Sequence, residues 1–216
     1  MNISELKVAA FDWDNTLALS HDALIYCVNI VLEEFGLPLW DVVKYKRNKN
    51  LSFRDNFPRI FGDKAEAAYS RYRQVYLQYV DNMISAPTYA EETLNLLHDR
   101  GVKIVIVSNK DRLLLEHELP LLYKPQIFQN IVCGHEALRD KPYPEQLQFA
   151  VTDLVDEINY KKVWMIGDSE MDSSCANACG VTAIRIGLPI WEDKLEPQKD
   201  ALFFANFSEF YRFLKG

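Results

Sequence analysis

The apolar run Leu6-Lys7-Val8-Ala9-Ala10-Phe11 leads straight into two carboxylates set two residues apart, Asp12 and Asp14. With the period of a strand, Asp12 and Asp14 point to one side and Trp13 to the other. Neighbouring carboxylates repel one another and resist desolvation, so a folded chain keeps such a pair only where a cation, a shared proton or water compensates. The pair marks a candidate catalytic site for a hard metal ion. The plainer alternative is a strand ending in a polar turn, with Asp14-Asn15-Thr16 supplying turn and helix-capping chemistry.

Short apolar strands recur at residues 6–11, 102–107, 130–133, 162–166 and 182–186, and all but the first pair are separated by a single helical segment. That alternation predicts an α/β fold, a parallel sheet covered by helices. Residues 91–100 carry Leu94, Leu96 and Leu97 and stop at Gly101, while residues 143–155 begin beside Pro142 and Pro144; both fit helix start and stop signals. Between residues 17 and 87 there is no convincing strand, and helical patterns predict a second, all-helical module inserted directly after the carboxylate pair. Ser20 is expected to cap a helix through Ile25, Val28, Val31 and Leu32 to Gly36. Ser52 is expected to cap another ending near Phe61-Gly62, and Asp63 to open a long helix to Ile84. Residues 191–200, rich in charge and proline, read as a surface loop. A strand at 202–205 and a helix at 208–214 follow, with Phe207, Phe210, Tyr211 and Leu214 spaced for core packing.

With 49% hydrophobic and 12% aromatic residues among 216, the chain can bury a substantial interior. Its net charge of -7, from 24 basic and 31 acidic residues, argues against a general nucleic-acid or anionic-membrane binder. Small-molecule chemistry is the expectation, and a local cationic pocket could still hold an anionic substrate. Cys27, Cys133, Cys175 and Cys179 form no CxxC pair; Cys175 and Cys179 read as close helix packing beside Ala176, Ala178 and Gly180. The chain begins with Glu5 and Lys7 where a secretory signal needs an apolar core, and its apolar stretches are strand length. Reduced thiols, a cytoplasmic location and no membrane crossing are therefore expected.

Three further strands end in polar residues. Val107 leads into Ser108-Asn109-Lys110, the Cys133 strand into a loop ending Asp140-Lys141-Pro142-Tyr143-Pro144, and Ile166 into Gly167-Asp168-Ser169-Glu170-Met171-Asp172. Sites in open parallel sheets form at the carboxyl ends of strands where the order reverses, so four polar ends can converge on one cleft. Singly, Ser108 and Asn109 read as a turn, Lys141 as a solvated loop charge and Asp168-Ser169 as a helix cap. Jointly, a shared cleft is the better account.

The ordered set Asp12-x-Asp14-x-Thr16, Ser108-Asn109, Lys141-Pro142-x-Pro144 and Gly167-Asp168-Ser169-x-x-Asp172 resembles the four motifs of the haloacid dehalogenase superfamily of phosphohydrolases. The resemblance spans nearly the whole chain, and the pattern is similar to the phosphoglycolate phosphatase-like branch. It implies a Rossmann-like parallel core over residues 1–17 and 86–216, with residues 18–85 as an inserted helical C1 cap. It further implies that Asp12 is a nucleophile forming an aspartyl-phosphate, and that Asp14 protonates the leaving oxygen and then activates water. Dehalogenases of the superfamily lack an acid at the Asp14 position, so carbon–halogen chemistry is disfavoured.

By the same resemblance Mg2+ would be held by the Asp12 carboxylate, the Asp14 backbone carbonyl and Asp168. Ser108 would hydrogen-bond a phosphoryl oxygen, helped by backbone amides near Trp13 and Asn109, and Lys141 would neutralise charge on nucleophile and phosphate. Thr16 would support the phosphate and the tight turn, Asn15 would tolerate a left-handed conformation, and Asp172 would order a metal water or Lys141 from behind. In the basic run from Lys44 through Lys46, Arg47 and Lys49 to Arg54, the bland reading is a solvated face. Arg47 and Arg54 are the candidates to clamp a substrate carboxylate or second phosphate. The expected function is a Mg2+-dependent phosphatase acting on a small phosphorylated metabolite, as a monomer or otherwise, with no nucleic-acid or membrane partner. A phosphomutase acting on a sugar phosphate and a non-catalytic binding or regulatory protein are the alternatives.

Overall fold

Every residue of the first strand, β1 (Val8–Phe11), is buried, and its two faces feed different cores. Ala9 and Phe11 join Ile104, Ile106, Trp164 and Ile166 in one apolar cluster, while Val8 and Ala10 join Val105, Val107, Val163 and Met165 in another. This two-residue alternation with apolar side chains on both faces is the signature of a parallel strand covered twice, which a continuous apolar run can satisfy and an alternating one cannot. The computed structural model describes residues 3–40, 52–155, 157–187 and 201–216.

The six strands are β1, β2 (Lys103–Val107), β3 (Phe128–Val132), β4 (Val163–Gly167), β5 (Thr182–Ile186) and β6 (Ala201–Phe204). They form one sheet in the order β3-β2-β1-β4-β5-β6, and every pairing is parallel. In sequence the chain steps outward from β1 to β2 and β3, then returns to place β4 on the other side of β1. The reversal falls at β1, so the cleft that such sheets open at their carboxyl edge lies where Asp12 and Asp14 emerge.

Helices α4 (Ala90–Asp99), α5 (Arg112–Leu122) and α8 (Phe207–Lys215) cover one face through Leu94, Leu97, Leu115, Leu119, Phe210 and Leu214. Helices α6 (Glu145–Val151) and α7 (Glu170–Cys179) cover the other through Leu147, Ala150, Val151, Cys175, Ala176 and Cys179. The two α7 cysteines are thus packing residues, and all four cysteines are free and buried. A third apolar cluster is built by α1 (His21–Glu34), α2 (Phe57–Phe61) and α3 (Ala65–Tyr79), joined by Leu114 of α5. No described helix is long and apolar enough to cross a membrane.

Several local expectations shift. Ser20 precedes α1 but its side chain makes no cap bond; its hydroxyl donates to Asp14 Oδ1 at 2.6 Å, a charged acceptor presented by the strand end. The helix expected from Asp63 is broken into a 3-10 turn over Gly62–Lys64, then α3, then a second 3-10 turn over Val80–Asn82, and no side-chain cap forms at its start. Helix α6 is shorter than the span 143–155, starting only after Pro144 and ending at Val151. Ser52 does cap, accepting the Asp55 amide at 3.1 Å. The loop at 191–200 lies outside the described residues. In the tail, Phe207, Phe210 and Leu214 are buried as expected, whereas Tyr211 is only half-buried and lies against the ring of Tyr89.

Phe210 is fully buried and its ring centroid lies 5.1 Å from that of Phe204 and 6.4 Å from that of Trp164. Truncating such a residue removes transfer energy and leaves a cavity, so Phe210→Ala should lose about 3–5 kcal/mol in denaturant titration. An unchanged midpoint would contradict the role of α8 in the core.

Candidate active site

The end of β1 is pinned before any chemistry is considered. The Asp12 amide continues the ladder by donating to the Ile166 carbonyl at 2.8 Å, and the Trp13 carbonyl accepts from Thr16, Leu17 and Ala18 at 3.2, 2.9 and 2.9 Å. That tight turn is possible because Asn15 takes the left-handed conformation, with φ at 61°. Trp13 points into the core, and Asp12 and Asp14 line a cleft with Ser108, Asn109, Lys110, Lys141, Asp168 and Asp172. Leu24, Phe53, Arg54, Tyr69 and Tyr72 form the opposite wall.

Lys141 is the centre of the arrangement. Its side chain is 3% exposed, and Nζ donates to Asp12 Oδ1 at 2.7 Å and to Asp172 Oδ1 at 2.6 Å. The loop that carries it, which includes a cis Lys141-Pro142 bond, is clamped by the Asn109 side chain. Asn109 Nδ2 donates to the Lys141 carbonyl at 2.8 Å and its Oδ1 accepts the Lys141 amide at 3.0 Å. Asn109 therefore spends its side chain on the loop and only its backbone faces the cleft chemistry. Gln146 braces the same region from beneath, donating to the carbonyls of Ser108 and Cys133 at 2.9 and 3.0 Å.

Asp172 uses its second oxygen on Ser169, accepting the amide at 3.1 Å and the hydroxyl at 2.6 Å. With both oxygens so engaged, it orients Lys141 from behind. The carboxyl group packs so closely on the backbone that a Cβ at position 167 would overlap it, which is why that strand ends on Gly167. Gly134 meets a similar limit, since a Cβ there would lie 2.6 Å from the Asn109 carbonyl and 2.8 Å from Arg54 Nη2.

Asp12, Asp168 and Asp172 are all buried, and one oxygen from each lies within 4.8 Å of the others. The Lys141 ammonium bridges two of these three carboxylates, in a site made of oxygen donors. A hard divalent cation fits that donor set. Burial, against the pull of Lys141 and reinforced by Asp172 and Asp14, pushes the Asp12 carboxyl from 3.8 up to about 7. Lys141 is held above its ordinary range: burial opposes its charge, but Asp12 and Asp172 outweigh that cost.

Other residues are placed as follows. Ser108 is buried at the head of the cleft. Arg54 lines the cleft and reaches Asp140 Oδ2 at 3.4 Å. Thr16 is buried but does not line this cleft; it borders a separate cavity with Leu19, Thr88 and Phe207, because the turn carries it to the far side of Asp14. Arg47 lies outside the described residues, with Lys44, Lys46 and Lys49. Two site residues had no role in the sequence reading: Lys110, whose Nζ is 2.7 Å from Asp14 Oδ1, and Glu118, 2.9 Å from the same ammonium. The available signal was a carboxylate at Glu118 within the apolar spacing of Leu114, Leu115 and Leu119 on α5.

An acid whose folded-state value is raised binds its proton more tightly folded than unfolded. The stability cost of ionised Asp12 is therefore absent below 3.8 and fully present above about 7. With divalent cations chelated, Asp12→Asn should melt at a higher temperature than wild type at pH 8, with the gap narrowing toward pH 4. A gap independent of pH would contradict the buried, ionisable placement of Asp12.

Comparison with known proteins adds three findings. The family model described as haloacid dehalogenase-like hydrolase matches residues 9–186. A pyrophosphatase PpaX of Bacillus mycoides (strain KBAB4) is 27% identical over 187 residues, covering 84% of each chain. Among solved structures, one described as a predicted phosphoglycolate phosphatase from Haemophilus somnus 129PT superposes with a TM-score of 0.84 at 18% identity, covering 97% of this chain and 98% of that one. CbbY from Rhodobacter sphaeroides in complex with phosphate gives a TM-score of 0.80 at 14% identity, covering 94% and 96%.

Proposed function

The chain belongs to the haloacid dehalogenase-like hydrolase family, and from that premise we propose that it is a Mg2+-dependent phosphatase working through a covalent intermediate on Asp12. The observation that carries the reading is the buried Lys141 ammonium shared by Asp12 and Asp172 beside Asp168. A passive scaffold gains little from such a charge set, since buried ion pairs are commonly no more stabilising than apolar packing.

In this reading Asp12, Asp168 and the Asp14 backbone carbonyl hold the metal ion, which when bound neutralises phosphate charge and offsets the repulsion among the carboxylates. An Asp12 carboxylate oxygen attacks phosphorus, and the bond to the ester oxygen breaks as Asp14 delivers a proton to it. Lys141 offsets the charge of the attacking carboxylate and the phosphoryl oxygens, and the Ser108 hydroxyl donates to one of those oxygens. Water then attacks the phosphorus of the aspartyl-phosphate, giving its proton to Asp14 and releasing inorganic phosphate, which restores Asp12.

Residues 18–85 serve as a cap over this chemistry. Among the described residues, their contacts with the parallel-sheet part include the polar pairs Tyr69 to Asp111 at 3.3 Å, Arg54 to Asp140 at 3.4 Å and Asp81 to His117 at 2.6 Å, beside the apolar packing of Leu114. Polar, partly exposed contacts open and close at less cost than a sealed apolar face. Arg54 is suited to the anionic remainder of a small substrate such as phosphoglycolate, a sugar phosphate or pyrophosphate.

Inorganic phosphate release from phosphoglycolate, pyrophosphate and several sugar phosphates tests the reading. Wild type with Mg2+ should turn over at least one, chelation should stop the reaction and added Mg2+ restore it, and Asp12→Asn should fall to background while remaining folded. Activity retained in Asp12→Asn would sink the mechanism. Conversion of a sugar phosphate to its isomer without phosphate release would point to a mutase instead.

A further inference from the structure

Lys110 and Glu118 have no part in the chemistry just described, yet they are among the most buried charges in the molecule. The Lys110 side chain is 6% exposed and that of Glu118 is 0% exposed. Lys110 Nζ donates to Asp14 Oδ1 at 2.7 Å and to the Tyr76 hydroxyl at 3.2 Å, and forms an ion pair with Glu118 Oε1 at 2.9 Å. The ammonium also lies 4.8 Å from the centre of the Tyr76 ring. The other Glu118 oxygen accepts the indole N–H of Trp13 at 2.5 Å.

The topology of these bonds is informative. Trp13 is the residue before Asp14, so Glu118 fixes the chain immediately ahead of Asp14 and, through Lys110, fixes its carboxylate. Ser20 donates to the same oxygen, Asp14 Oδ1, at 2.6 Å. Two donors converging on one oxygen set the rotation of the carboxylate. Three of the partners, Lys110, Glu118 and Trp13, come from the parallel-sheet part; Ser20 and Tyr76 come from the helical segment proposed as the cap. An apolar pair at positions 110 and 118 would fill the same space without desolvating two charges, so core stability alone gives no reason for this ion pair.

We propose that Lys110, anchored by Glu118, is a positioning residue that holds Asp14 in the orientation needed for proton transfer, and that Tyr76 and Ser20 make that orientation depend on the seating of the helical segment. The inference rests on the assignment of Asp14 as acid and base under Proposed function. A proton donor must be aligned with the leaving oxygen to act, and its contribution grows as the leaving group becomes more basic. Loss of Lys110 should therefore hurt poor leaving groups more than good ones, which a merely structural defect would not do.

The full-length protein with Mg2+ is assayed on p-nitrophenyl phosphate, whose leaving group departs without a proton, and on phenyl phosphate, whose leaving group is more basic. Lys110→Met is compared with Lys110→Met/Glu118→Gln, which removes the buried carboxylate together with its cation and retains an acceptor for Trp13; melting curves confirm that each is folded. The kcat/KM for phenyl phosphate should fall by about 10²-fold, within the range that general acid catalysis supplies, with a much smaller loss for p-nitrophenyl phosphate. Equal losses on both esters in a folded variant, or no loss on either, would overturn the positioning role and leave the hydrolase reading intact. Wild type inert toward both esters and toward every phosphorylated metabolite named above would contradict the hydrolase reading and this inference with it.

Discussion

The structure turns on one buried ammonium. Lys141 sits between Asp12 and Asp172 at hydrogen-bond distance from each, and without it these two buried carboxylates would face one another uncompensated. Asp12, Asp168 and Asp172 bring three buried carboxylates together in the cleft, a set of oxygen donors that a hard cation would fit. The same burial raises the Asp12 proton affinity, so the ionised carboxylate at the end of β1 is held at a cost to stability.

Much of the surrounding architecture can be read as support for that ammonium. The sheet order puts the strand reversal at β1, which delivers Asp12 and Asp14 to the cleft edge. Asn109 grips the backbone of the Lys141 loop, Gln146 ties the ends of β2 and β3 together, and Gly167 lets the Asp172 carboxyl approach the strand end. None of these touches a reacting atom in the proposed chemistry. Each restricts where Lys141 can be, and a site of this kind works only if its charges are held within a fraction of an ångström.

Strands, sheet direction and the converging polar ends were legible in the sequence because a doubly covered parallel strand leaves an uninterrupted apolar run, and a polar strand end after such a run has few places to go. The left-handed Asn15 followed from the family resemblance. What local pattern could not reveal was partner choice over long separations. Ser20 looked like a helix cap, yet its hydroxyl donates to the Asp14 carboxylate and accepts no helix amide. Asn109 was expected to offer a backbone amide, and nothing local showed that its side-chain amide would hold a loop 32 residues away at both ends. Lys110 and Glu118 were invisible as a pair, since a lysine after a strand and a glutamate on a helix are each ordinary until the fold buries them against Asp14.

The helical segment lines the cleft with Leu24, Phe53, Arg54, Tyr69 and Tyr72, and Arg54 also pairs with Asp140. A cap of that character would select substrates by the group remote from phosphorus while leaving the covalent chemistry unchanged. The central claim is therefore the covalent one, and acid-quenched turnover followed by peptide mapping addresses it directly. With Mg2+ and a substrate that wild type hydrolyses, the account predicts a phosphoryl group on the peptide containing Asp12, removed by hydroxylamine as expected of an acyl phosphate. Turnover with the phosphoryl group on another residue, or with none trapped at any quench time while Asp12→Asn remains active, would contradict it.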